Sequence, residues 1–174
     1  KNKKKKKKST KKKKKGGSKR TRKKRAGDGI EKIKINGKLY HKKKLTPKQA
    51  NYYNEYGNRI KEYHVPYRLE TEGDDTFIIT EDYGRPIKNT DVYYEAGLNH
   101  AISVLKNLHN INTYHGDIIS GSGGTLKWNI GNILVKLNDQ GKPEFKLIDF
   151  GPTDGEKRSD DVLLKTEIDL LDTK

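Results

Sequence analysis

Apolar residues fall into short groups along this chain, either alternating or spaced as on one face of a helix, and the first group begins only at Ile30. Ile30, Ile33 and Ile35 lead to Asn36-Gly37, the dipeptide that supplies two positive φ angles to a hairpin turn, so a return strand is expected over residues 38–45. Thr46-Pro47-Lys48-Gln49 then combines a capping residue, a proline at the first helical position and a glutamine three residues past the cap, which marks a helix start. Tyr52, Tyr56, Ile60 and Tyr63 follow at helical spacing, and Pro66 ends this helix near His64. Residues 68–72, Gly73-Asp74-Asp75 and residues 76–83 read as strand, turn and strand, with Phe77-Ile78-Ile79 the buried run. A long helix is expected from about residue 91 to residue 110, because Leu98, Ala101, Ile102, Leu105 and Leu108 form one stripe. A polar loop at residues 114–117 and a Gly/Ser-rich stretch at 120–125 come next, then strands at 133–137 and 145–148 around a turn at 138–141. Gly151-Pro152 stops the last strand, and Ser159 caps a closing helix whose first turn holds Asp160 and Asp161, where the helix dipole favours negative charge. Leu164, Ile168 and Leu171 give that helix its apolar stripe. The element order predicts an α+β domain in two lobes, residues 26–90 and 91–174.

Charge separates the first 25 residues from this domain. The 174 residues carry 39 Lys and Arg against 23 Asp and Glu, a net charge of +16, and 18 of the basic residues but no acidic one lie in residues 1–25. Residues 26–174 therefore hold 21 basic and 23 acidic residues, a net of −2. With no apolar residue and closely spaced like charges, residues 1–25 read as a disordered-type polybasic arm. Such an arm is a solvated extension, a nuclear-import address or a grip on a polyanion, either nucleic acid or an acidic protein surface, whose affinity falls steeply with salt. Anionic lipid competes for the same charge. No aromatic residue interleaves the lysines, so any nucleic-acid contact is expected with the backbone and not with stacked bases.

The remaining composition mostly excludes. Absence of cysteine removes disulfide, thiolate and Cys-zinc chemistry, and the absence of methionine together with Lys1 at the start suggests a processed product or a fragment. No apolar run approaches the roughly 18 residues of a membrane span, and the apolar core of a secretory signal is missing, so an intracellular setting, nucleus or virus particle, is expected. His41, His64, His100 and His109 share no metal-ligand spacing, and Trp128 reads as a buried anchor of its segment.

Three short segments fall at the mouths of these elements: His115-Gly116-Asp117, Asn132-Ile133-Leu134-Val135 and Leu147-Ile148-Asp149-Phe150-Gly151. Singly, each has an ordinary structural explanation, as a turn cap, a loop closure or a strand end. In this order they supply what phosphoryl transfer needs: a carboxylate to orient the attacking hydroxyl, an amide oxygen for a metal, and a second carboxylate to bridge the metal to the phosphates.

In these residues the chain resembles the protein-kinase-like superfamily, and its His-Gly-Asp form, rather than His-Arg-Asp, looks more like the small atypical kinases, such as the KEOPS-complex kinase and RIO families, or like small-molecule phosphotransferases. The resemblance covers residues 30–151 and implies a reduced two-lobe fold that uses ATP and Mg²⁺. It implies that Asp117 is the catalytic carboxylate, that Asn132 and Asp149 bind metal, and that backbone groups near Glu81 and Tyr83 hold adenine. Strand alternation makes Lys43 the choice for the phosphate-binding lysine, with Lys42 and Lys44 as neighbours that compete for the role, and Glu55 on the next helix as its partner. Fourteen residues separate Asp117 from Asn132 where the family has four, an insertion of ten, and Lys127 within it is the candidate catalytic-loop lysine. A glycine-rich phosphate loop is missing, since Gly27-Asp28-Gly29 alone precedes the first strand, and 23 residues follow Gly151 without an Ala-Pro-Glu segment. Two functions are expected to compete: a minimal serine/threonine-type protein kinase, or a degenerate kinase-like component of a large assembly such as a viral particle, anchored by the arm.

Overall fold

The computed structural model describes residues 29–122 and 125–172, so the polybasic arm at 1–25 and the Gly27-Asp28 pair lie outside the described residues. Strands β1 (Ile30–Ile35) and β2 (Lys38–Lys44) meet at Asn36 and Gly37, whose φ angles of 50° and 82° are the two positive values the hairpin turn requires. Helix α1 (Pro47–Ile60) starts at the foreseen capping box: Gln49 N donates to Thr46 Oγ1 at 3.2 Å and Thr46 N donates to Gln49 Oε1 at 3.1 Å. Strands β3 (Tyr67–Glu72) and β4 (Asp75–Glu81) follow, and β4 inserts between β2 and β3 to give an antiparallel sheet of order β1-β2-β4-β3.

A two-residue strand β5 (Arg85–Pro86) leads to helix α2 (Tyr94–Asn110). The helix begins three residues later than its apolar pattern predicts, because the Asp91 carboxylate is engaged by Arg85 and by Tyr93 N and holds the chain in a turn. Strands β6 (Ile119–Ser122) and β7 (Thr125–Trp128) form a separate hairpin, and a single 3-10 turn (Ile130–Asn132) leads into β8 (Ile133–Leu137) and β9 (Pro143–Leu147). β8 pairs with both β5 and β9, so the second sheet has the order β5-β8-β9, and helix α3 (Asp160–Asp172) closes the chain. The architecture is α+β, with three helices and three antiparallel sheets among the described residues.

One apolar cluster joins these parts. It runs from Tyr52, Tyr53, Tyr56 and Ile60 of α1 through Ile78, past Ala101, Val104, Leu105 and Leu108 of α2, to Ile133, Leu147, Phe150 and the α3 residues Leu163 and Leu171. Each such side chain taken from water contributes about 1.5–3 kcal/mol. The tyrosines also carry polar tips that need partners. Tyr52 OH donates to Tyr114 O, and the hydroxyls of Tyr114 and Tyr56 donate to the two oxygens of Asp160 at 2.9 and 3.2 Å, which ties α1 to the start of α3.

Three expectations from the pattern change. The stretch at 114–117 is polar in sequence, yet Thr113, Tyr114 and His115 are fully buried. The Gly/Ser-rich stretch is a hairpin, because Ile119 and Trp128 face one another and pack on the core side while Ser120 and Lys127 pair on the other. On α3 the buried line is Leu163, Glu167 and Leu171, with Ile168 turned partly outward, so a carboxylate stands in the middle of the buried face.

Candidate active site

Asp117 lies just after α2, in a loop whose backbone is held from several sides. Its Oδ2 accepts from Asn132 Nδ2 at 3.1 Å and from Asn129 Nδ2 at 3.3 Å, and the same two amides reach its backbone carbonyl at 3.0 and 3.1 Å. Asn132 is buried, and with its amide nitrogen committed to Asp117, its Oδ1 is the atom able to ligate a cation. Burial raises the Asp117 carboxyl above the usual carboxylate range; the Asp149 charge adds to this, while the Asn132 and Asn129 hydrogen bonds and the Lys43 charge oppose it. The 3-10 turn carrying Asn132 is joined to the end of β9, where Ile148 N donates to Asn132 O at 3.1 Å. That bond sets Asp149, the next residue, beside Asn132 and Asp117.

The loop itself hangs on α3. Glu167, buried at 4 % exposure, accepts from His115 N through Oε1 and from Gly116 N through Oε2, both at 2.9 Å, and meets His109 Nε2 at 3.0 Å. His115 is fully buried, stacks on Phe150 with 4.1 Å between ring centroids, and accepts from Asp117 N through Nδ1 at 3.3 Å. Burial lowers its imidazole to about 4, so the ring is neutral and can serve as that acceptor. Gly116 has φ +92°, and a Cβ on it would stand 2.5 Å from Gly151 O. This contact accounts for His-Gly-Asp: any side chain at 116, an arginine included, would collide with the backbone that follows Asp149. Gly151 N donates to His115 O at 2.7 Å, which fixes that close approach.

Lys43 comes from the other sheet. In β2, His41 and Lys43 share the inner face, as alternation requires, and Lys43 Nζ reaches Asp149 Oδ1 at 3.1 Å. Lys42 and Lys44 point away, to Glu72 and Asp75. Lys43 is therefore the lysine at the site, but its acidic neighbour is Asp149. The expected pairing with Glu55 does not form: α1 buries Tyr52, Tyr53, Tyr56 and Ile60, which turns Glu55 to solvent. Asp149 itself has φ +57°, a left-handed conformation that aspartate adopts more readily than most residues and that recurs where function fixes the backbone.

Two cavities meet at Lys43. The first, about 240 Å³, is mainly apolar and is bounded by Ile30, Ile78, Leu134 and Ile148, with Lys43 and Asp149 at one end and Glu81, Asp82 and Tyr83 at the other. Glu81 N and Asp82 N are already bonded to Pro66 O and Leu39 O, whereas the Tyr83 backbone makes no such bond among the described residues. The second cavity is more open and polar, and Lys43, Thr46, Gln49, Asp117 and Thr153 border it. Among the described residues no group of three or more His, Cys, Asp or Glu converges as a ready metal cage.

Of the residues foreseen from sequence, Asp117, Asn132, Asp149 and Lys43 are brought together, and Glu81 and Tyr83 border the same cavity. Lys127 is not: it lies at an exposed position of β7, opposite Ser120, and makes no ion pair with Asp117. Asn129 was missed. Its backbone N donates to Ile118 O at 2.8 Å, so the ten residues Ile119–Trp128 leave and re-enter the loop at one place. With the hairpin set aside the loop reads Asp117, Ile118, Asn129, Ile130, Gly131, Asn132, the spacing of four that the kinase-like pattern has. The signal available in sequence was the alternation Ile119, Gly121 against Leu126, Trp128 around a Gly-rich turn. No model of a known protein family matches the chain, and no curated protein does either.

Proposed function

We propose that this chain is a minimal kinase-like phosphotransferase of reduced two-lobe form, moving the γ-phosphoryl group of ATP to a hydroxyl acceptor. The convergence of Lys43 with Asp149 and of Asn132 with Asp117, at the meeting point of an apolar and a polar cavity, carries the reading. The base fits the apolar cavity against the open backbone edge at Tyr83. Lys43 takes the phosphates, and Asp117 orients the acceptor arriving through the polar cavity. Asn132 Oδ1 and the Asp149 carboxylate are hard oxygen donors, the kind that would hold Mg²⁺. When bound there, Mg²⁺ neutralises the charge of the transferring group.

ATP turnover with a generic hydroxyl acceptor tests this. Asp117→Ala and Asp149→Ala are each expected to lower the rate by at least about a hundredfold, because catalysis here is positioning and charge stabilisation. Equal rates in all three proteins overturn the reading. One observation favours a second reading, a catalytically degenerate structural component: Lys43 has no acidic partner on α1 and is free to neutralise Asp149 instead of phosphate. On that reading Mg·ATP leaves the melting temperature unchanged, whereas a site that binds it shifts the temperature upward by several degrees.

A further inference from the structure

We propose that Asn129, delivered to the loop by closure of the β6–β7 hairpin, is a positioning residue that together with Asn132 holds Asp117 by Oδ2 and reserves Oδ1 for the acceptor hydroxyl. The inference rests on the phosphotransferase reading. Both amides donate to Oδ2, at 3.1 and 3.3 Å, and Oδ1 receives no hydrogen bond among the described residues. A carboxylate gripped at one oxygen and by its own backbone carbonyl has little freedom about χ1 and χ2, so the second oxygen keeps a fixed direction. Asp117 borders the polar cavity and Asp149 the apolar one, so the acceptor reaches Asp117 from the polar side.

In the transfer, the acceptor oxygen bonds to the γ-phosphorus while the bond from that phosphorus to its bridging oxygen breaks. The electron pair leaves with the diphosphate, and the hydroxyl proton passes to Asp117 Oδ1. A lysine at position 129 would add charge beside the phosphates, whereas the neutral amide adds direction only. Asn129 therefore acts through Asp117, without touching the nucleotide.

The test measures kcat and the KM for ATP in Asn129→Leu, Asn129→Ser and wild type, together with the side-chain amide NMR signals of Asn129 and Asn132 before and after Asp117→Ala. Asn129→Leu is expected to lower kcat by about 10- to 100-fold, the cost of a small misplacement, with KM for ATP unchanged within about twofold. Asn129→Ser, which restores a donor, recovers part of kcat. Both amide signals shift on Asp117→Ala. Unchanged kcat in Asn129→Leu, a matching rise in KM, or an Asn129 amide signal indifferent to Asp117→Ala overturns the proposal. A wild type that turns over no ATP while both amide signals respond overturns the phosphotransferase reading and leaves the Asn129–Asp117 contact standing. No substitution removes either group of the backbone bond from Asn129 N to Ile118 O, so the hairpin is expected to stay closed in each variant.

Discussion

Asp117 and Asp149 stand beside each other in contrasting surroundings. Asp117 is half buried and bound by two amides, in a loop whose own N–H groups are satisfied by the buried Glu167. The Asp149 side chain is 39 % exposed and has one ion-pair partner among the described residues, Lys43, which approaches from a different sheet. A group fixed by many buried bonds is part of the folding equilibrium, and damage there appears as lost stability. A group held by one half-exposed ion pair contributes less to stability, so damage there leaves the fold largely intact.

Substitutions can separate the two. The largest effect on stability is expected at Glu167, where Glu167→Leu leaves the His115 and Gly116 N–H groups buried without acceptors. At about 1–3 kcal/mol for each orphaned donor, the melting temperature should fall by roughly 5–15 °C in a calorimetric scan. An acid transition comes next. Burial lowers the His64 and His115 imidazoles to about 4. The unfolded chain therefore takes up protons that the folded chain refuses as the pH drops from about 6.5 toward 4. Stability is undiminished above that window and declines within it by about 1.4 kcal/mol per pH unit for each histidine. Denaturant titrations across the window should show this slope, and it should be shallower by one histidine's share in His64→Gln.

Lys43→Met tests the Asp149 side of the comparison. It should cost no more than about 1 kcal/mol in urea unfolding, yet weaken Mg·ATP binding by tenfold or more in calorimetric titration. Smallest of all are Glu55→Gln and Lys127→Ala, each expected within about 0.5 kcal/mol of wild type because both side chains face solvent. A large rate loss in Lys127→Ala would move the loop's working residue from Asn129 into the hairpin.

Legibility in the sequence followed how local each determinant is. The β1–β2 turn, the Thr46 capping box, the strand carrying Lys43 and the strand leading to Asp149 depend on neighbours within a few residues, and each was foreseen close to its place. Glu167 was not, because its role is set by two N–H groups 52 and 51 residues away. An acidic residue between leucines on an amphipathic helix reads as solvent-facing until those donors are known. Lys43 and Glu55 failed as a pair for a related reason: α1 presents tyrosines to the core, and their demand for burial turns the glutamate outward. Asn129 was hidden by its distance from Asp117 along the chain, a distance the hairpin cancels.

That cancellation has a consequence for tinkering with the molecule. Because the chain departs at Ile118 and returns at Asn129 through one hydrogen-bonded gate, the hairpin beyond the core-packed Ile119 and Trp128 is an excursion whose length costs little. Doubling an excursion of this kind adds only about 0.6 kcal/mol of closure entropy. The β6–β7 hairpin is thus a natural port for a fluorophore, an affinity tag or a foreign domain, rooted two residues from Asp117.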